Sequence, residues 1–141
     1  MTEPLAGAVF LDTSYAIALV NHDDNLHAAA ILLADRLRQS RTRLLTTRSI
    51  LLEIGDGLSG PSYRAVAASL LDSLQDDPGV EIVDLTPALY DAALTLYRNR
   101  PDKGWGLTDC FSFVVMSAHE VTAALTHDIH FQQAGFRALL R

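Results

Sequence analysis

Apolar residues along the chain alternate between short continuous runs and longer stretches spaced three or four residues apart. The first run, AVFLD (residues 8–12), has the length of a buried strand and ends on Asp12. Thr13 or Ser14 then starts a helix carrying Tyr15, Ile17, Ala18 and Leu19. In HAAAILLADRLRQS (27–40), Ile31, Ala34 and Leu37, or Leu33 and Leu37, fall at helical spacing, which predicts an amphipathic helix. LLTT (44–47) predicts a second short strand. SILLEIGDGL (49–58) predicts a helix begun by Ser49, with Ile50, Leu51 and Ile54 toward the core and Gly55 and Gly57 weakening its last turn. LSGPSY is a turn ahead of the helix YRAVAASLLDSLQ (63–75), and DDPG is a turn ahead of the strand EIVDL (81–85). Thr86 as N-cap and Pro87 at the first helical position open TPALYDAALTLYRN. After the loop RPDKGWG (100–106), CFSFVVMSA (110–118) suits either strand or helix by length and apolarity. Thr108 as a helix cap, and the better strand pattern of VTAALT (121–126), decide for a helix. HDIHFQQAGF predicts a turn and a short helix, and FRALL (136–140) a last strand.

Strands and helices in alternation predict an α/β fold with a mainly parallel sheet covered on both faces. No repeat, low-complexity tract or linker divides the sequence, so residues 1–141 are read as a single domain. A chain of 141 residues buries about two-thirds of its unfolded surface and needs no disulfide. Cys110, in an apolar run, is read as a small buried hydrophobe in a reducing cytoplasm. The start MTEPLAGAVFLDTS lacks the basic and continuous apolar segments of a signal peptide, and no apolar run reaches the ~20 residues of a membrane span. The expectation is a soluble, internal protein.

The net charge of -6 speaks against a broadly basic nucleic-acid binder. Its distribution is uneven: RLRQSRTRLLTTR (36–48) carries Arg36, Arg38, Arg41, Arg43 and Arg48 without an acid between them. Such a stripe suits a phosphate backbone, a solvated face or an acidic partner equally.

In parallel α/β sheets ligands collect beyond the carboxyl ends of the strands. Asp12 ends the first strand, Asp128 follows VTAALT closely, and Asp109 begins the helix feeding that strand, so right-handed crossovers bring all three toward one rim. Glu53 lies among Ile50, Leu51, Leu52 and Ile54, an unfavourable place for an unpaired carboxylate if that side is buried. Each acid has a plainer role: Asp12 and Asp109 as helix-cap or helix-start acids, Asp128 in a turn, Glu53 on a helix surface. Together they would repel one another unless a cation lay between them. Hard divalent ions take such oxygen ligands, and two of them ~3.5–4 Å apart activate water for in-line displacement at phosphorus.

From VFLDTSYAIAL through TTRSILLEIGDGL and LYDAALTLYRNRPDKGWGLTDCFSFVVM to ALTHDIHF, the chain resembles PIN-domain ribonucleases, most closely the compact VapC-type toxins of bacterial toxin–antitoxin pairs. The resemblance implies a three-layer α/β/α sandwich with a mainly parallel central sheet. It implies Asp12, Glu53, Asp109 and Asp128 as catalytic metal ligands, and supporting hydroxyls at Thr13 or Ser14 and at Thr108 or Ser112. It also implies Mg²⁺ or Mn²⁺, RNA cleavage by a metal-activated water, a homodimer, a small antitoxin partner whose tail covers the acids, and no DNA contact except through that antitoxin. The arginines 36, 38, 41, 43 and 48 are the candidate RNA contacts. Asp91 and Asp102 are read as structural.

Four rivals were weighed. A haloacid-type phosphatase needs a second aspartate two residues after the first, where this chain has Ser14. A phospho-acceptor domain needs a lysine at a later strand end, but the one lysine is Lys103, in a turn. Zinc would have to use His119, His127 and His130 without a recognisable ligand spacing. The fourth is a stand-alone or catalytically inactive PIN domain that binds RNA or protein; binding alone would not require Glu53 to be acidic.

Overall fold

Short apolar runs become strands here, and the inner ones, β1, β2 and β4, are mostly buried beneath the helices. The computed structural model describes residues 7–140, so part of the start read for a signal peptide, residues 1–6, and residue 141 lie outside the described residues. Chain order is β1 (Ala8–Leu11), α1 (Thr13–Val20), α2 (His27–Ser40), β2 (Arg43–Thr47), α3 (Arg48–Gly57), α4 (Arg64–Asp76), β3 (Val80–Val83), α5 (Pro87–Asn99), α6 (Leu107–Ala118), β4 (Ala123–Leu125), α7 (Ile129–Gln133) and β5 (Arg137–Ala138). The strands form one sheet in the order β3-β2-β1-β4-β5, and every pairing is parallel. Seven helices flank it among the described residues, giving the expected α/β/α sandwich. None is long and apolar enough to cross a membrane.

The sheet order decides where the chemistry falls. β1 is central, with Phe10 opposite Leu45 on one side and Ala124 on the other. Because all strands run the same way, their carboxyl ends make one rim, and Asp12, Thr47 and Thr126 stand directly at it. Thr47 and Thr126 are fully buried, as is the neighbouring Thr46, whose hydroxyl donates to the Leu11 carbonyl at 2.9 Å. Polar side chains in so dry a place must be internally bonded.

Two helix starts differ from the expected ones. α3 is capped by Thr47, whose hydroxyl accepts the Ile50 N–H at 3.1 Å, instead of by Ser49. α6 has Gly106 as its N-cap, which puts Thr108 inside the helix. The Asp109 carboxylate turns back and accepts the Gly106 N–H at 3.0 Å, supplying the cap from the helix interior. Thr86 and Pro87 start α5 as expected, with Thr86 accepting the Leu89 N–H at 3.2 Å. The third and last strands are shorter than their apolar patterns: Asp84 and Leu85 lie past the end of β3, and β5 is confined to Arg137 and Ala138.

One aromatic chain ties β1 to the helices on one face. Phe10 packs beside Phe131 of α7 (6.1 Å between centroids), Phe131 meets Phe113 of α6 edge-on (5.1 Å), and Phe113 meets Trp105 edge-on (5.1 Å). Trp105 is buried and its indole N–H donates to Gln133 at 3.1 Å. The loop 100–106 is thereby clamped to α7, and Cys110 lies fully buried on α6 as read from the sequence. Phe131→Ala should cost about 3–5 kcal/mol, the range for emptying a large aromatic site, measurable as a lower denaturant midpoint with an unchanged slope.

Candidate metal centre

Asp12 is the first residue beyond β1 and the N-cap of α1, yet its side chain makes no capping bond. Its Oδ2 instead accepts hydroxyls from Thr126 at 2.7 Å and from Ser14 at 3.1 Å. The same Thr126 oxygen accepts the Asp128 N–H at 3.0 Å, so one hydroxyl joins the ends of β1 and β4 and the start of α7. Asp12 is 8% exposed. Burial pushes its carboxyl above the usual range; the two hydroxyls and the Thr13 N–H pull it back, and the charge of Asp128 adds to the rise.

Glu53 reaches the same rim from α3. The residue is exposed, but its Oε1 accepts the Thr13 hydroxyl at 3.0 Å. Partial burial of the carboxyl is the main cause of its raised pKa, with the charges of Asp12, Asp109 and Asp56 adding to it. Thr13 and Ser14 thus support different acids, Thr13 holding Glu53 and Ser14 holding Asp12.

Asp109 arrives in the first turn of α6, and Asp128 caps α7 by accepting the His130 N–H at 2.9 Å. His130 Nδ1 lies 3.2 Å from Asp128 and 3.5 Å from Asp109. Burial raises the Asp109 carboxyl most; Asp128 raises it further, while the Gly106 N–H and His130 lower it. Asp109 and Asp128 therefore serve as helix-start acids and still converge, because a parallel sheet points such helix starts at one place.

His130 is the participant that sequence reasoning missed, having set it aside with the zinc candidates. The signal was present in HDIH: an acid at a helix cap places the second residue after it beside its own carboxylate. His119 is elsewhere, with its ring 3.2 Å from Glu81 of β3. Ser112 is buried one turn after Asp109, and Thr108 lines a small cleft with Ser49, Leu85 and Tyr90. Asp102 pairs with Arg100, which holds its carboxyl down at about 2, and Asp91 is exposed on α5.

The arginine stripe is divided by the fold. Arg41 ends α2 in a left-handed conformation (φ 50°) and Arg43 begins β2, at the amino-terminal rim of the sheet, the end opposite the acids. Arg38 pairs with Asp35 at 2.8 Å, and Arg36 is half-buried on the same helix. Arg48 follows the carboxyl end of β2 and bonds Asp84 at 2.9 Å and Gln75 at 2.8 Å.

The donor chemistry fits a hard divalent cation. Ligand atoms of Asp109, Asp128 and His130 lie within 4.8 Å of one another; the charge of Asp128 reaches Asp12, and the charges of Asp12 and Asp109 reach Glu53. No lysine or arginine is among the groups that move Asp12, Glu53 or Asp109; neighbouring carboxylates raise each of them, hydrogen bonds pull each back, and His130 is the one cationic side chain opposing the rise, at Asp109. A bound divalent ion would reverse that repulsion.

With this geometry in place, the comparisons are specific. The PIN domain family model matches residues 9–137, and the chain belongs to that family. Its structure is similar to that of VapC20 of Mycobacterium tuberculosis, described as a sarcin-ricin loop cleaving toxin, at 26% identity and TM-score 0.77, covering 91% of this chain and 95% of that one. It shares its fold with VapBC2 of Rickettsia felis, solved with a promoter DNA fragment (18%, TM-score 0.64, 93% and 96% covered), and with FitAcB of Neisseria gonorrhoeae (15%, TM-score 0.64, 92% and 95% covered). A search of curated proteins gave no significant match.

The raised carboxyls fix the sign of a pH effect. Between the ordinary pKa and the raised one the folded chain holds more protons than the unfolded chain, so stability falls as pH rises through that window and stays lower above it. In chelator, the melting temperature should therefore rise as pH is lowered from neutrality toward the ordinary carboxylate range. Asp109→Asn should flatten that trend and be at least as stable as the parent at neutral pH. Added Mg²⁺ or Mn²⁺ should raise the parent's melting temperature and barely move the variant's. A parent that loses stability steadily on mild acidification would contradict the electrostatics.

Proposed function

We propose that the chain is a divalent-metal-dependent endoribonuclease and the toxin component of a type II toxin–antitoxin pair, acting in the cytoplasm as a homodimer. The observation that carries this reading is the arrival of Asp12, Glu53, Asp109 and Asp128 at one rim from four separate elements. Family membership and the likeness to a described RNA-cleaving toxin support it.

The roles follow from the contacts. Asp12, Asp109 and Asp128 would hold Mg²⁺ or Mn²⁺, with Glu53 completing the acidic wall. Thr126 and Ser14 fix the rotamer of Asp12, and Thr13 fixes Glu53. His130, between two carboxylates, carries a nitrogen that can hold a proton or face the cation. When bound, the cation supplies a nucleophilic hydroxide near neutral pH and neutralises charge on the phosphate oxygens. At Asp12, which is nearly dry, the burial that raises the carboxyl would also strengthen its hold on such an ion.

Asp12→Asn and Asp109→Asn should each lower Mg²⁺- or Mn²⁺-dependent cleavage of total cellular RNA by more than ~100-fold while leaving the circular dichroism unchanged. Thr126→Val, which removes one supporting hydroxyl, should weaken metal binding by roughly 10- to 100-fold. Cleavage that survives both carboxylate changes would overturn the nuclease reading in favour of a PIN domain that only binds. For the toxin role, the chain should copurify from its native host with a small protein that places a basic side chain over the acids. Growth unaffected by overproduction, with the chain always isolated alone, would refute that role.

A further inference from the structure

We propose that the segment 97–105, at the end of α5 and in the loop entering α6, is the cradle for single-stranded RNA beside the acid rim; this rests on the nuclease reading above. A cleft of about 490 Å³ is lined there by Tyr97, Arg98, Arg100, Lys103 and Trp105, with Pro101 and Gly104 as its backbone floor. These nine residues hold three cations against the single acid Asp102, in a chain whose net charge is -6. They are the combination that non-base-paired RNA requires: point charges for phosphates and an open aromatic face for a base.

The cations are arranged for an outside ligand. Arg100 is stacked over the Trp105 ring at 5.1 Å and bonded to Asp102 through Nε (3.0 Å) and Nη2 (3.1 Å). Its Nη1 takes part in neither bond. Lys103 stands 3.7 Å from Asp102, too far for a hydrogen bond, so its ammonium is steered by the acid without being tied to it. Arg98 is exposed, and Tyr97 shows 48% of its surface. A phosphate gains two or three charge-assisted bonds here at little ordering cost, because Trp105 is already buried against Phe113 and bonded to Gln133.

Position links the cleft to the chemistry. Lys103 precedes Asp109 by six residues, hence by at most ~20 Å of chain, and Trp105 is bonded to the helix capped by Asp128. A strand gripped at this loop is therefore held at a fixed distance from the carboxylates. By contrast, Arg41 and Arg43 lie at the start of β2, at the opposite end of the strands.

The test uses a fluorescein-labelled 12-nucleotide single-stranded RNA of mixed sequence and full-length Asp12→Asn protein in Mg²⁺, so that binding is read without cutting. Adding Arg98→Ala and Lys103→Ala should weaken binding and reduce the slope of log affinity against log salt by about 1.4, or ~0.7 per lost phosphate contact. Tyr97→Ala should weaken binding by about 5-fold or more, and Tyr97→Phe should restore it. The pair Arg41→Ala and Arg43→Ala should leave the slope unchanged. An unchanged slope in the Arg98/Lys103 variant, or a slope lowered only by the Arg41/Arg43 pair, would overturn the cradle even if the unmodified protein cuts RNA. Failure of the unmodified protein to cut RNA would instead overturn the nuclease reading. Melting temperature and Mg²⁺ affinity, both expected to stay at the Asp12→Asn values, exclude a folding defect.

Discussion

A carboxylate kept almost dry at the end of the central strand organises this molecule. Asp12 loses most of its hydration there, and the hydroxyls of Thr126 and Ser14 replace only part of it. Thr126 also anchors Asp128 through its N–H, so the bond that makes Asp12 tolerable sets the height of the second acid above the sheet. A charged group in such surroundings raises its own pKa and those of its neighbours, and in chelator that repulsion opposes folding. The rim costs local stability in the absence of a cation, and its donor set is one a divalent ion would suit.

The rest of the fold holds that strained rim in position. The all-parallel sheet puts every strand end on one side, and the row of Phe10, Phe131, Phe113 and Trp105 fastens α6 and α7 to the sheet behind the acids. Mutual repulsion therefore cannot be relieved by α6 or α7 drifting apart without opening a large aromatic contact. The clamp also reaches outward: Trp105 positions Arg100, and Arg100 positions Asp102. Core packing, acidic rim and basic loop form one mechanical unit.

Charge is segregated along the chain in a way that net charge hides. Asp12, Glu53, Asp109 and Asp128 stand at the rim without an arginine or lysine partner among the described residues, where an ion would answer them. Other acids spend themselves on cations at the surface, as Asp35 does on Arg38, Asp84 on Arg48 and Asp102 on Arg100. An overall charge of -6 is therefore compatible with a polyanionic substrate. The sum includes carboxylates that a bound cation would neutralise.

The α/β alternation, the short buried strands and the sites of the helices were legible from local pattern, because apolar spacing and capping residues act over a few positions. The four acids and the hydroxyls at residues 13 and 14 could be named for the same reason, together with the likeness of their surrounding segments to PIN domains. Finer features depended on contacts between distant residues. The hydroxyl of Thr126 finds Asp12 across 114 positions of sequence, and α6 is capped at Gly106, with Asp109 folding back to accept its N–H, instead of at Thr108. Proximity in sequence is not proximity in space: Arg41 and Arg43 stand at the start of β2 and Arg48 beyond its far end, while Arg98, Arg100 and Lys103 form one cleft wall around Trp105. A residue's chemistry is set by its type, but its neighbours are set by the order and direction of strands, and only the folded sheet decides which charges meet.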